Sequence, residues 1–186
     1  MTSLIIFAET DCKAILLDTR DVESITTALD GIGVSFERWT PGAALPEDAS
    51  NEALLAAYDP DIRRLAAEGG YQSFDVIRML PDNPKREELR TKFLDEHIHE
   101  DDEVRFFVDG SGMFYLHAGG RVHMLLCEAG DLIKVPAGLR HWFDMGPAPH
   151  FCAIRLFTTP EGWVAKFTGE PIARDSADVR DVRCRP

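Results

Sequence analysis

A chain of 186 residues, 45% apolar and 28% charged, is long and hydrophobic enough to fill one core and is expected to fold as a single soluble domain. Its formal net charge of −12 excludes the broad basic surface that nucleic acid or an anionic membrane would require, and apolar runs such as 3–8 are far too short to span a bilayer. Cys12, Cys127, Cys152 and Cys184 are scattered, with no CxxC pair and no signal peptide before them, and read as the reduced thiols of a cytoplasmic protein.

In chain order, residues 3–9 and 13–18 read as two short strands around the polar turn Glu9-Thr10-Asp11, followed by an amphipathic helix over 21–30. Val34, Phe36 and Arg38 alternate as a further strand, and 40–50, with Pro41, Gly42 and Pro46, is a loop. A helical insert occupies about 50–69. Its first helix runs over 51–58; Asp59 is the expected N-cap of the second, with Pro60 at its first position and Gly69-Gly70 past its end. A strand returns over 71–80, Pro81-Asp82-Asn83-Pro84 turns the chain, and a charged helix covers 85–90. From Phe93 the pattern is dense β, with strands near 93–99, 103–109, 112–118, 121–127, 131–135, 140–145 and 149–158. Short strands so spaced, punctuated by Gly, Pro and Asp, predict an antiparallel sandwich or barrel. A polar tail, 174–186, calls for no structure of its own.

Within this β region two stretches carry chemistry. His97 and His99, one residue apart, lie on the same face of a strand and can reach one ion. Glu103 follows an acidic turn, Glu100-Asp101-Asp102, and opens the next strand towards the same site. In the stretch from Gly130 to His141, Pro136 and Gly138 shape a turn that aims His141 inward. The spacing from His97 through Glu103 to Gly110, and from Gly130 through Pro136 and Gly138 to His141, resembles the two motifs of the cupin superfamily. The departures, Thr91 where the pattern begins with Gly and Met145 where it ends with Asn, are not ligand positions. The resemblance implies a mainly β jelly-roll barrel, the double-stranded β-helix, with a few peripheral helices and a metal-binding core over about 71–169.

Strand parity extends the site. Asp95 and Phe93 should share the face of His97, Arg105 and Phe107 that of Glu103, and Phe143 that of His141, with Glu96 and Ile98 pointing away. Arg105 has two readings, partner to an acid on the sheet or contact to substrate, between which parity does not decide. His117, His123 and His150 fall in no motif and read as ordinary strand or loop residues. Three imidazoles and one carboxylate, leaving two open positions, suit an octahedral ion such as Fe²⁺, Ni²⁺, Mn²⁺ or Co²⁺ better than a closed zinc site. With metal +2, Glu103 −1 and Arg105 +1, the pocket would balance a chelating dianion.

Lys92-Phe93-Leu94, the block Glu96-His97-Ile98-His99 through Asp102-Glu103-Val104-Arg105-Phe106-Phe107, the stretch from His141 to Gly146, and Glu161-Gly162-Trp163 together resemble the acireductone dioxygenase family of methionine salvage. That resemblance implies one Fe²⁺ or Ni²⁺ per chain on His97, His99, Glu103 and His141. The implied substrates are O₂ and acireductone, 1,2-dihydroxy-5-(methylthio)pent-1-en-3-one, which fits the pocket that parity builds from Arg105 and the aromatic side chains of Phe93, Phe107 and Phe143, rings whose other reading is core. It further implies that Arg105 holds the substrate dianion, that Glu96 serves metal incorporation and that Asp102 relays local conformational change. The Fe form would yield formate and 4-methylthio-2-oxobutanoate, the Ni form formate, carbon monoxide and 3-methylthiopropanoate. A monomer without nucleic-acid or membrane partners is expected. The competing readings are another cupin enzyme, an isomerase or different dioxygenase, and a non-catalytic cupin that binds a small ligand.

Overall fold

The structure, a computed structural model, describes residues 1–39, 46, 49–159 and 163–175. Two antiparallel sheets share one long strand. The first sheet runs β11 (Lys166–Phe167), β5 (His97–Ile98), β9 (Arg140–Asp144), β6 (Glu103–Ala118), β7 (Arg121–Glu128), β1 (Ser3–Ala8), β2 (Asp11–Thr19). The second joins β4 (Ser73–Met79) to β10 (Phe151–Phe157), β6, β8 (Asp131–Val135) and β3 (Ser35–Arg38). This is the mainly β barrel that the spacing of short strands predicts.

The sequence reading expects two strands over 103–109 and 112–118, whereas β6 is one strand of 16 residues. Its first half pairs with β8 and β10, its second with β7 and β9, and the switch falls at Gly110. Gly110 has φ 69°, and a Cβ there would lie 1.9 Å from the carbonyl oxygen of His150. A glycine placed for a turn therefore makes a barrel corner, because only a residue without Cβ bends the strand this tightly against its neighbour.

Alternation along the strands sorts their side chains into three clusters. The barrel interior collects Phe107, Phe114, Leu116, Leu125, Ile133, Phe143 and Phe151, closed at one end by Ile25 and Leu29 of α1 (Val22–Asp30). That helix starts where expected, with the Asp21 carboxylate accepting from the Ser24 N–H. The outer face of the second sheet presents Val104, Phe106, Ile154 and Leu156 to α2 (Asn51–Ala57) and α3 (Asp59–Gly69). The N-cap of α3 is Tyr58, one residue before the expected Asp59, because α2 runs straight into it. The outer face of the first sheet buries Trp142 stacked on Tyr115 (centroids 5.0 Å apart, 6° between planes), with Ala173 of α5 (Ile172–Asp175) in the same cluster.

The predicted strand does not reach residues 93–96: α4 continues over Arg86–Leu94 and β5 contains only His97 and Ile98. A segment rich in Arg, Glu, Leu and Lys and without Gly or Pro favours helix here, and a paired Arg90–Asp144 bridge (2.7 and 3.0 Å) ties α4 to β9. Residues 40–45, 47–48, 160–162 and 176–186, which include most of the predicted loop and of the polar tail, lie outside the described residues.

Candidate metal centre

The carriers of the site converge from three strands and their turns. His97 on β5 stands opposite His141 on β9, and Glu103 opens β6. Their rings pack closely: His97 to His141 4.5 Å, His97 to His99 5.0 Å and His99 to His141 5.1 Å between centroids. One nitrogen from each lies within 4.8 Å of the others, and all three residues are buried.

Backbone carbonyls fix which nitrogen faces inward. The Nδ1–H of His97 donates to Asp95 O (2.8 Å), that of His99 to Val164 O (3.1 Å) and that of His141 to Leu139 O (2.8 Å). A carbonyl only accepts, so in each neutral ring the proton sits on Nδ1 and Nε2 carries a lone pair. Yet Nε2 of His99 and Nε2 of His141 each lie 3.2 Å from Oε2 of Glu103. Lone pair against carboxylate at that separation is repulsive unless a proton or a cation joins them. The titration behaviour expresses the same demand. Burial works to lower the pKa of His99, but hydrogen bonding and charge from Glu103 overcome it and the net direction is up. Burial with His141 alongside pushes His97 down to about 4. Burial also opposes ionisation of Glu103, but Arg105 and the two imidazoles outweigh it and hold the carboxyl well below its usual range.

The other oxygen of Glu103 accepts from Arg105 (2.7 Å). Burial pushes the Arg105 guanidinium down, against the pull of Glu103, and Arg155 adds to the effect from directly across the ladder. Like charges opposed across a ladder are unfavourable; here Glu103 answers Arg105, and Asp75 answers Arg155 through two contacts of 2.8 and 2.6 Å. The guanidinium of Arg105 lies 4.4 Å from the Phe143 centroid, and its Nε has no partner among the described residues. Arg105 thus retains a buried donor for a group that the polypeptide does not supply.

A cavity of about 510 Å³ opens onto this cluster, lined by His97, His99, Glu103 and Arg105 on one side and by Phe93, Phe143, Phe157, Trp163 and Phe167 on another. Phe93 reaches it from a helix rather than the expected strand. Phe107 does not line it: fully buried, it packs against Phe114 and Phe151 in the barrel core, because parity fixes the face of a residue but not its depth. Asp95, expected on the metal face, lies half exposed 3.4 Å from Arg174. Glu96 is off the cavity as parity predicts, yet buried, its carboxylate against His117. Arg155 lines the cavity too, as do Lys92 and Trp163, which carry the family resemblance but no expected role in the site; for Arg155 the signal is present, since it alternates in phase with Phe151, Ala153 and Phe157.

Asp102 links the two motif turns. Its carboxylate accepts from the N–H of Ala137 (3.1 Å) and pairs with Lys134 (3.0 Å), while its carbonyl accepts from Trp163 Nε1 (3.0 Å). Beside it, the Gly138 N–H donates to His99 O (2.9 Å). The turn that delivers His141 is therefore tied to the turn that separates His99 from Glu103.

Residues 3–165 match the model of the ARD/ARD′ family. A protein of Parvibaculum lavamentivorans described as acireductone dioxygenase is 61% identical over 173 residues, 93% of this chain and 94% of that protein. Acireductone dioxygenase 2 of Pectobacterium atrosepticum is 54% identical, covering 93% and 96%. The solved structure of acireductone dioxygenase from Bacillus anthracis with a cadmium ion in its active center superposes with a TM-score of 0.80 at 32% identity, over 90% of this chain and 98% of the other.

Proposed function

Because the chain belongs to the ARD/ARD′ family of acireductone dioxygenases, we propose that its buried donor cluster holds one divalent metal and that the side chains around it divide the handling of acireductone among them. The enzyme is metal-dependent and cleaves acireductone with O₂ in methionine salvage. The observation that carries the ligand assignment is the set of three Nδ1 groups tied to carbonyls while two Nε2 atoms face one Glu103 oxygen at 3.2 Å. His97, His99, His141 and Glu103 are the ligands in this reading, and the donor set fits a first-row ion. A metal held there would supply Lewis acidity towards a substrate oxyanion.

Arg105 faces the cavity with an unpartnered Nε, so in this reading it binds and orients the substrate oxyanion and holds its negative charge. Its pairing with Glu103 and its stacking on Phe143 fix that donor before substrate arrives. Phe93 and Phe143 exclude water around the thioether tail, while Phe107 acts from behind as core. Asp102 suits a relay between the two motif turns, since one residue holds both Ala137 and Trp163. Glu96 acts outside the ligand set, where a part in metal incorporation is open to it.

In this reading the four ligands would hold Fe²⁺ or Ni²⁺, and the product would follow the ion held: formate with 4-methylthio-2-oxobutanoate for Fe²⁺, formate with carbon monoxide and 3-methylthiopropanoate for Ni²⁺. Three imidazoles and a carboxylate accept both ions, with Ni²⁺ bound at least as tightly. The test is to strip the protein, reload separate samples with each ion, supply acireductone and O₂, and measure carbon monoxide in the headspace. Carbon monoxide from the nickel sample alone is expected. Equal yields from both, or none from an active nickel sample, would overturn the metal-controlled branch.

A further inference from the structure

Resting on that reading of the metal site, we propose that His117, which lies outside the ligand cluster, is a positioning residue for the ligand His97 and acts on it through Glu96. The need for one arises from the strand that carries His97. β5 is two residues long; its pairing with β9 is the single register pair His97↔His141, and β11 on its other side is equally short. So short a ladder leaves a ligand poorly located, and the structure adds side-chain ties on the face turned away from the cavity.

Glu96 is the centre of those ties. Its side chain is fully buried; Oε2 accepts from Nδ1 of His117 (2.5 Å) and Oε1 from Oγ1 of Thr168 (2.8 Å), while its carbonyl accepts from the N–H of Thr168 (3.0 Å). Because the sheet order is β5-β9-β6, the bond from His117 on β6 to Glu96 reaches over β9, the strand that carries His141. Its other ring nitrogen, Nε2, lies 2.7 Å from Oε2 of Glu9, so carboxylates hold the imidazole from both ends. The consequence for His97 is direct. The carbonyl that accepts from His97 Nδ1 belongs to Asp95, in the peptide joining Asp95 to Glu96. Fixing the Glu96 side chain fixes that peptide, and the peptide sets the rotation of the His97 ring. His117 cannot itself be a ligand, since both its nitrogens are engaged.

The experiment measures Ni²⁺ affinity, by competition with a chromophoric chelator, on metal-free protein in a double-mutant cycle between His117→Gln and His97→Ala. Loss of an orienting contact behind a metal ligand costs roughly 10- to 100-fold in affinity. That loss is expected for H117Q in the native background, shrinking to about 2-fold or less in the H97A background, where no ring remains to be oriented. His123→Gln, at a buried histidine whose Nδ1 meets, among the described residues, only the Leu116 carbonyl at 3.4 Å, is expected to leave affinity unchanged. Glu9 is more than a third exposed beside a second cavity of about 620 Å³, so Glu9→Gln is the variant to use if H117Q does not fold. It is expected to weaken binding in the same direction, less, and again only when His97 is present. Unchanged Ni²⁺ affinity in H117Q, or an equal loss with and without His97, would overturn the positioning role while leaving the metal site intact. Failure of the unaltered protein to bind one Ni²⁺ per chain would overturn the metal reading itself and this inference with it.

Discussion

Two groups of buried histidine and glutamate lie on opposite faces of β5, and they differ in one respect that decides what each can do. On the cavity side, His97, His99 and His141 each give one nitrogen to a backbone carbonyl and keep the other for the centre of the cluster. On the outer side, His117 gives both nitrogens to carboxylates and keeps none. Burial and a nearby glutamate are common to both, so neither marks a metal site. A nitrogen held spare does.

The largest effect is expected at the spare nitrogens. His97→Ala or His141→Ala is expected to take metal content from one ion per chain to well below stoichiometric, because each removes a coordinate bond. Elemental analysis showing full occupancy in both variants would mean that the cavity cluster is no more a metal site than the outer one.

Arg105 separates holding a metal from using it. Arg105→Ala is expected to keep its metal and to lose turnover on acireductone by on the order of 10²-fold or more, as for a removed charge-stabilising group. Near-native turnover, measured alongside metal content, would reduce Arg105 to a structural partner of Glu103.

A smaller effect is expected from the wall of the cavity. A Cβ on Gly112 would lie 2.3 Å from Cζ of Phe143, the ring on which Arg105 stacks. Gly112→Ala should therefore displace Phe143, cost about 1–3 kcal/mol by overpacking and raise KM with metal content unchanged. Thermal denaturation and steady-state kinetics on the loaded enzyme check both parts.

The gentlest probe is pH on the metal-free protein. Unfolded, His97 takes up its proton near the ordinary value of 6.5; folded, it does so at about 4. Between those values the unfolded chain binds more protons, so this residue's contribution to stability falls as pH drops through that window. His99 has the opposite sign: its folded value is raised, and the stability it contributes below 6.5 is lost as pH rises through that raised value. Tm of metal-free protein followed from pH 7.5 to 4.5 should show the acid-side loss, and H97A should diminish it.

Much of this was legible in the sequence because the relevant signals are local. Spacing of two placed His97 and His99 on one face, Pro136 and Gly138 announced the turn before His141, and regular punctuation announced a barrel of short strands. Parity along β6 put Arg105 beside Glu103, where they pair.

Where parity was carried across an element boundary its premise failed: Asp95 left the expected face, and Phe93 reaches the cavity from a helix instead of a strand. Phe93 and Asp95 were assigned a face as though β5 began before them, but α4 extends to Leu94, since helix propensity and the Arg90–Asp144 tie override the pattern of the strand that follows. Gly110 reads identically as a turn or a corner until the approach of His150 is known. Phe107 and Phe143 look alike in sequence, yet only Phe143 reaches the cavity, because depth along a barrel is set by which strands close over it. His117 carried no signal whatever: its partners Glu9 and Glu96 lie 108 and 21 residues away, and only the folding of β1, β5 and β6 into one sheet brings them together. The local pattern of the chain was enough to bring His97, His99 and His141 together and to set the kind of barrel that holds them, since alternation and turn chemistry act between neighbours in the chain. Which rings keep a nitrogen spare depends on carbonyls and carboxylates from distant segments, and that was decided by tertiary structure alone.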